Sequence, residues 1–391
     1  MLKKTLQIYL IILFCITLSG CNNNYVKESN LQEDNQNLKV FTSIDYKDYK
    51  NLEICTIDLD FNHIYLSEIH NLMLTSTYYD DKIYYSILNE EILKEDTIEV
   101  YSFDLKTNEN KLIYQYVVDK EDKFHLMNEL RATDDYLFWV EMSVDGRWVF
   151  KEFDLNTKET KVIREYEDEM MLGGISISLT KDFIFWYEIV EEYEDYMIAR
   201  LASYDINEKN IGFIEENAYI DSPYLRVSIY NNNLAFLTET EENETKIINI
   251  YDLNTRINSE YSIENINNMG NIVGLADNLL ILYDTKDIGN TDIYLYDYKS
   301  SNYQQIKSPG SMFFANEYEG KIFINLYSEV YFLDLENNYK VYLEKAQKKD
   351  GNKTEYYYPR KTLEDKYIIH FSSQEGKDTK RGYYLISNIN K

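Results

Sequence analysis

Two short landmarks alternate along this chain, and their alternation limits what it can fold into more than any other feature. The first is a polar turn residue opening an apolar run: Asp81 in DKIYYS, Asp135 in DYLFWV, Asp182 in DFIFWY, Asn233 in NLAFLT, Asn278 in NLLILY, Gly320 in GKIFIN and Asp365 in DKYIIH. The second is an alternating run ending in an aspartate: Asp104 in YSFDL, Asp154 in KEFDL, Asp205 in ASYDI, Asp252 in NIYDL, Asp297 in YLYDY and Asp334 in YFLDL, with a degenerate copy, YYLIS, at 383–387. One unit shows the order between them: GISISLT, a turn, DFIFWYEIV, an acidic loop, MIARLASYDI, a turn and NIGFIEE. Short runs rich in Ile, Tyr, Phe and Val between polar turns are strand chemistry. The four runs of a unit are designated A, B, C and D.

The first landmark recurs every 42 to 54 residues, from Asp81 to Asp365. A β-rich period of that size predicts the blades of a β-propeller, each a four-stranded antiparallel sheet. Seven landmarks predict an all-β, seven-bladed domain over residues 40–391; six or eight blades stay open if the first or the sixth unit is irregular, the sixth being compressed between Asp297 and Asp334. An eighth C-like run, ICTIDL at 54–59, precedes the first B landmark, and Lys391 follows shortly after the last C strand. The N-terminal strand is therefore expected to serve as the D strand of the last blade, closing the ring and removing edges that would otherwise need protection. The aspartates ending the C strands can turn their side chains onto nearby backbone donors, so turn formation is expected of them rather than a ring of catalytic carboxylates.

Between residues 40 and 391 the copies resemble two families. EYEGKIFINL and TDDYLFWVEM are similar to the turn-and-strand repeat of TolB-type and WD40-like extracytoplasmic propellers, and YSFDLKTNENKLIY and KEFDLNTKETKVIR to the quinoprotein-type repeat. No Ser-Pro-Asp-Gly precedes a B strand, and the glycine and tryptophan that follow the aspartate of quinoprotein repeats are missing. A quinone cofactor is accordingly not expected, and the likeness speaks to a superfold that hosts many functions.

The first twenty residues speak to the compartment. Lys3 and Lys4 precede an apolar run from Ile8 to Leu18, too short to span a bilayer comfortably, followed by Leu18-Ser19-Gly20-Cys21. That ending resembles the lipobox of bacterial lipoproteins, which implies a signal peptide over 1–20, cleavage before Cys21, and acylation there as a palmitate-type anchor on the extracytoplasmic face of the cell membrane. Residues 21–39 are polar, without Gly or Pro, and read as a solvated tether. Cys15 leaves with the signal and Cys55 is left alone, so neither an internal disulfide nor a disulfide-linked partner is expected. The net charge of -28 becomes -30 once Lys3 and Lys4 are removed. Such a field repels phosphate backbones and anionic lipid heads, which argues against a nucleic-acid partner.

Candidate sites follow from the blade order. The A strands would line a central channel, with His125, Asn128, Glu129 and Arg131 in the second unit, Tyr224 and Arg226 in the fourth, Asn316 and Glu317 in the sixth, and Tyr356, Tyr358 and Arg360 in the seventh. Strand alternation turns about half of these inward. The B-to-C loops are acidic, as in NEEILKEDT, in VEEYEDY with Glu191, Glu192, Glu194 and Asp195, and in TETEENET. They would concentrate negative charge and tyrosine on one rim. DLDFNHIYLSEI places His63 and Ile69 where an EF-type calcium loop needs Gly and a bidentate Glu, so no metal site is assigned, although a divalent cation remains conceivable on the acidic rim. None of His63, His70, His125 and His370 has a partner at metal-ligand spacing, and no Gly-x-Ser-x-Gly elbow occurs. Trp139, Trp148 and Trp186 are expected in the core.

The expected function is a lipid-anchored binding or scaffolding module at the cell envelope that recognises a protein, a peptide or a glycan. The alternative is a propeller enzyme, a lyase or glycoside hydrolase using channel-facing carboxylates such as Glu129. Two-carboxylate chemistry would require such groups to converge within roughly 5 to 10 Å.

Overall fold

The computed structural model describes residues 45–46, 53–58, 72–89, 97–107, 109–117, 124–143, 147–166, 175–193, 196–220, 226–240, 245–263, 271–276, 278–283, 293–306, 314–318, 321–326, 329–334, 339–345, 353–356, 360–361, 363, 367–375 and 378–387, with side chains described within 75–303. Cys21, the signal and the tether lie outside these residues, as do Tyr224, Glu194 and Asp195. Every element belongs to the unit Leu38–Lys391.

Two strands, β1 (Asp45–Tyr46) and β2 (Glu53–Asp58), come first in the chain but pair with sheets made near its other end. Antiparallel sheets then follow one another. The first is β3 (Leu72–Tyr79), β4 (Lys82–Asn89), β5 (Thr97–Asp104) and β6 (Asn110–Val117). The second is β7 (Phe124–Ala132), β8 (Tyr136–Ser143), β9 (Trp148–Asp154) and β10 (Thr160–Tyr166). Next come β11 (Ser178–Leu179), β12 (Phe183–Glu192), β13 (Met197–Asp205) and β14 (Asn210–Ile220), then β15 (Ser228–Tyr230), β16 (Asn233–Glu239), β17 (Lys246–Asp252) and β18 (Asn258–Ser262). A single pair, Tyr219 opposite Glu239, joins β14 to β16 and makes these two groups one eight-stranded sheet. Strands β19 (Asn271–Ala276), β20 (Leu279–Tyr283), β21 (Ile293–Asp297) and β22 (Asn302–Ile306) form the next sheet. Then β23 (Phe314–Tyr318), β24 (Lys321–Leu326), β25 (Glu329–Asp334) and β26 (Tyr339–Lys345) take β1 as a parallel fifth strand at Asp45 to Tyr339. The last sheet holds β27 (Lys353–Tyr356), β28 (Arg360–Lys361), β29 (Tyr367–Glu375) and β30 (Asp378–Ser387), and β2 lies antiparallel to β30 from Glu53 opposite Ser387 to Asp58 opposite Gly382. The run read as an extra C strand thus occupies the D position beside the last C strand.

Both landmarks fall where the repeat places them. Asp104, Asp154, Asp205, Asp252, Asp297 and Asp334 each end the third strand of a group. The Asp154 carboxylate accepts from the backbone N–H groups of Asn156 and Thr157 at 2.7 and 2.9 Å, and Asp104, Asp205, Asp252 and Asp297 cap their turns in the same way. The two landmark turns also bind each other. Leu105, Leu155, Ile206, Leu253 and Tyr298 donate their N–H to the carbonyls of Asp81, Asp135, Asp182, Asn232 and Asn278 at 2.8 to 3.2 Å. One end of the sheets is therefore stitched by paired hairpins. The left-handed backbone of Asp80, Asp81, Asn231 and Asn232 suits the two-residue hairpins at the A-to-B turns.

The core lies between sheets, and strands β8, β12 and β16 each feed two clusters of it. In β8, Leu137 and Trp139 pack with Ile98, Val100 and Met127, whereas Phe138 and Val140 pack with Ile184, Trp186 and Tyr204. In β12, Ile184 and Trp186 face back while Phe185 and Tyr187 join Leu234 and Phe236. Strand β16 repeats the pattern, sending Ala235 and Leu237 to a cluster with Leu280 and Tyr296. A strand apolar on both faces is what a sheet sandwiched between two others requires. Outer strands differ: β10 exposes Thr160, Lys161 and Val162. Trp139, Trp148 and Trp186 are fully buried, as the sequence predicts.

Candidate functional site

Among the described residues, the channel candidates fall on, or at the entry to, the first strands of their groups. His125, Asn128, Glu129 and Arg131 belong to β7, Asn316 and Glu317 to β23, Tyr356 to β27 and Arg360 to β28, while Arg226 precedes β15. The side chains of His125, Asn316, Glu317, Tyr356 and Arg360 lie outside the described residues, as does Tyr358 altogether.

Neighbouring first strands are tied by hydrogen bonds. The Leu130 N–H donates to Thr75 Oγ1 at 3.4 Å, and Arg131 donates to the Ile177 carbonyl at 3.1 Å. Ser178 Oγ donates to the Val227 carbonyl at 2.6 Å, and the Gly274 N–H donates to Ser228 Oγ at 2.9 Å. Gly274 is required there, since a Cβ would sit 2.0 Å from the buried Tyr230 ring.

Two of the channel candidates meet. Arg131 donates to Glu129 at 2.6 Å, and both side chains are largely buried. Register against β8 jumps between Asn128 and Arg131, and Glu129 itself sits at φ 55°, a left-handed conformation unusual for a residue with a long side chain. Asn128 turns instead to Met142, its amide 2.9 Å from the sulfur. Through the Ile177 carbonyl the pair reaches from β7 to the chain entering β11, so it joins sheets.

Other buried carboxylates are held by named donors. Glu141 accepts from Trp139 Nε1 at 2.8 Å and from Lys151 at 2.6 Å. Glu188 accepts from Trp186 Nε1 at 3.1 Å and from Arg164 at 2.9 Å, across two sheets. Glu152 accepts from Tyr204 and Lys209 of the following sheet at 2.9 and 2.8 Å, and Glu99 from Tyr101 and Gln115. The repeated Trp-x-Glu spacing in FWVE and FWYE was the signal for two of these ties, and sequence reading passed over it.

Glu191 and Glu192 end β12 and are exposed. Tyr193 and Tyr196 bracket the turn to β13, with Tyr193 N–H donating to the Tyr196 carbonyl at 2.9 Å. Their rings stack with centroids 4.6 Å apart and planes 16° from parallel, and Tyr196 meets the Tyr219 ring at 5.8 Å. The Tyr193 hydroxyl donates to Glu191, and that bond raises the phenol to about 12. The sequence places acid and tyrosine together here but does not show that the rings stack; two tyrosines three apart are the available sign. Among the described residues no group of His, Cys, Asp or Glu could hold a metal ion, and no helix is long and apolar enough to cross a membrane.

Solved structures resemble this arrangement. The β-propeller domain of the trilobed protease from Pyrococcus furiosus, which has an open velcro topology, superposes with a TM-score of 0.54 at 10% identity, covering 81% of this chain and 93% of that one. The fold is a β-propeller. TolB from Acinetobacter baumannii aligns with a TM-score of 0.41 at 12% identity over 78% of this chain and 80% of that one. The acylaminoacyl peptidase of Pyrococcus horikoshii aligns with a TM-score of 0.48 at 11% identity over 78% of this chain and 51% of that one. No family model matches the sequence, and no curated protein is similar to it.

Proposed function

We propose that this propeller is a binding or scaffolding module held at the extracytoplasmic face of the cell membrane by a lipid on Cys21, with residues 1–20 removed as a signal and 21–39 as its tether. Its partner is an envelope protein, a peptide or a glycan, and it has no nucleic-acid partner and needs no cofactor. In this reading seven blades form the domain and β2 is the strand assigned to close the ring; the pairing of β2 with β30 and the contact between β29 and β3 support it.

One observation carries the binding reading. The buried carboxylates Glu99, Glu129, Glu141, Glu152 and Glu188 are all engaged by tyrosines, tryptophans, arginines, lysines or an amide, mostly as ties within and between sheets. Carboxylates and rings available to a partner lie instead on the loop rim at Glu191, Glu192 and Tyr193. A rigid disc presenting a loop face is how such a scaffold serves recognition. The experiment compares the full chain with its Cys21→Ser variant in cells. Membrane fractionation and incorporation of labelled palmitate should both be lost in the variant, and co-purifying envelope components should be recovered by the wild type. A variant that still fractionates with membrane defeats the anchoring claim.

A second reading, a lyase or glycoside hydrolase, is favoured by Glu129 alone, because a left-handed, buried carboxylate on an inner strand is the kind of strained position that function retains. Turnover of an envelope polysaccharide that disappears in Glu129→Gln while the fold persists would establish it.

A further inference from the structure

We infer that the stepped cluster of Tyr193, Tyr196 and Tyr219, edged by Glu191 and Glu192, receives an arginine-bearing segment of a cationic peptide. The inference rests on the binding reading above and names its ligand class.

The cluster is built rather than incidental. Tyr193 is 45% exposed, and its ring lies flat against Tyr196 across the turn. Tyr219 stands on β14 opposite Glu239 of β16, so the aromatic step runs from the turn to the neighbouring strand group. Glu191 fixes the Tyr193 ring through the phenol, and a carboxylate has lone pairs left to accept a guanidinium.

Elsewhere the molecule satisfies comparable rings with its own cations. The Arg200 guanidinium lies 5.2 Å from the centroid of Phe213, Lys209 lies 3.5 Å from that of Tyr136, and Lys151 lies 5.5 Å from that of Tyr116. Among the described residues no lysine or arginine covers Tyr193, and Glu191 and Glu192 form no ion pair. The ring face and the carboxylates that a guanidinium needs are thus both open at one place. The net charge of -28 draws cationic segments toward the surface and repels anionic ones. A neutral glycan could stack on the same ring but would gain nothing from that field, so charge complementarity selects the peptide.

The test uses the full chain in detergent and three probes: a nonapeptide alternating arginine and glycine, its citrulline counterpart of the same shape without charge, and a neutral glucan hexasaccharide. Calorimetry should show binding of the arginine peptide, weakened by salt, and little binding of the citrulline form. Tyr193→Ala and Glu191→Gln should each weaken it by about 2- to 5-fold, the range of an exposed cation–ring contact. Glu159→Gln, an exposed charge removed from a C-to-D turn, should leave it unchanged. Unchanged melting temperatures would confirm that the variants remain folded. Equal binding of the citrulline peptide, equal loss in Glu159→Gln, or indifference to Tyr193→Ala would overturn the inference. So would binding of none of the probes. If the hexasaccharide binds through Tyr193 and the arginine peptide does not, the inference falls while the binding-module reading stands; envelope capture tests that reading separately.

Discussion

Glutamates between the sheets and glutamates on the rim are the same residue put to opposite uses. Glu188 is wholly buried on β12, held by Trp186 and Arg164, whereas Glu191 and Glu192 lie three and four residues further along the same strand and are exposed. The difference is set by what surrounds each: neighbouring sheets flank the middle of β12, and the strand then runs beyond them. A carboxylate taken out of water must recover hydrogen bonds, and here it does so by tying one sheet to the next. On the rim that requirement is absent, and the charge remains available to something outside the chain.

The largest test of this contrast removes one carboxylate from each place. Glu188→Ala leaves the Trp186 N–H and the Arg164 guanidinium without their acceptor, and breaking a buried pair from one side costs about 3 kcal/mol. Glu191→Ala with Glu192→Ala should stay within about 0.5 kcal/mol, as exposed substitutions do. Chemical denaturation at neutral pH measures both. Replacing Glu188 and Arg164 together by methionine should recover much of the loss, since the cost lies in the orphaned partner. A Glu188→Ala protein as stable as the rim variant would show that the inter-sheet tie does not bear on stability.

Alkaline titration sharpens the comparison using tyrosines. Burial lifts Tyr84 and Tyr85 to about 12 and Tyr187, Tyr204 and Tyr230 higher still, whereas Tyr193 on the rim reaches about 12 through its bond to Glu191. A phenol whose folded value exceeds its unfolded value of about 10 contributes stability that is complete below pH 10 and is lost as pH rises through the folded value. Unfolding should therefore set in above pH 10. The ultraviolet ionisation signal of the interior phenols should then appear together with loss of structure. Glu191→Gln should bring one phenol back toward 10 and move the unfolding transition only slightly, because solvent screens the exposed pair. If that variant shifts the transition substantially, Tyr193 belongs energetically to the interior.

How much of this was legible in the sequence differs between the two ends of the blades. Hairpin turns were legible because they are local: an aspartate that caps its own backbone two and three residues later, as Asp154 does, carries its reason beside it. Strand order was legible because DFIFWYEIV is apolar at successive positions, which only a sheet covered on both faces requires. The ties were only half visible: Trp-x-Glu spacing marks the bond from Trp186 to Glu188, but Arg164 reaches Glu188 across sheets and no spacing in the chain announces it. The left-handed Glu129 was hidden, since only a glycine there would have signalled such a backbone. The aromatic step was half visible. Tyr193 and Tyr196 bracket a turn, but the contact with Tyr219 depends on how β13 and β14 register, and that register slips between Ala199 and Ala202.

The smallest expected effect comes from the stitched end. Lys158 sits at φ 64° where the Asp154 turn returns to its strand, and its N–H donates to the Asp154 carbonyl at 2.9 Å. A side chain in that conformation costs ~1 kcal/mol relative to the right-handed region, which glycine escapes. Glycine in turn makes the unfolded chain more flexible and gives back ~0.5 kcal/mol or more. Lys158→Gly should therefore raise stability by no more than ~0.5 kcal/mol, seen as a small upward shift in the denaturation midpoint at unchanged slope. The sign is the informative part. A loss would mean that the lysine does more at this turn than occupy it, since its ammonium also reaches the Leu155 carbonyl and lies 5.9 Å from the centroid of Phe153. Lys158→Asn separates these terms, because asparagine tolerates the left-handed backbone but has no ammonium: a midpoint equal to wild type assigns the turn to backbone geometry, and a fall assigns it to the lysine head group.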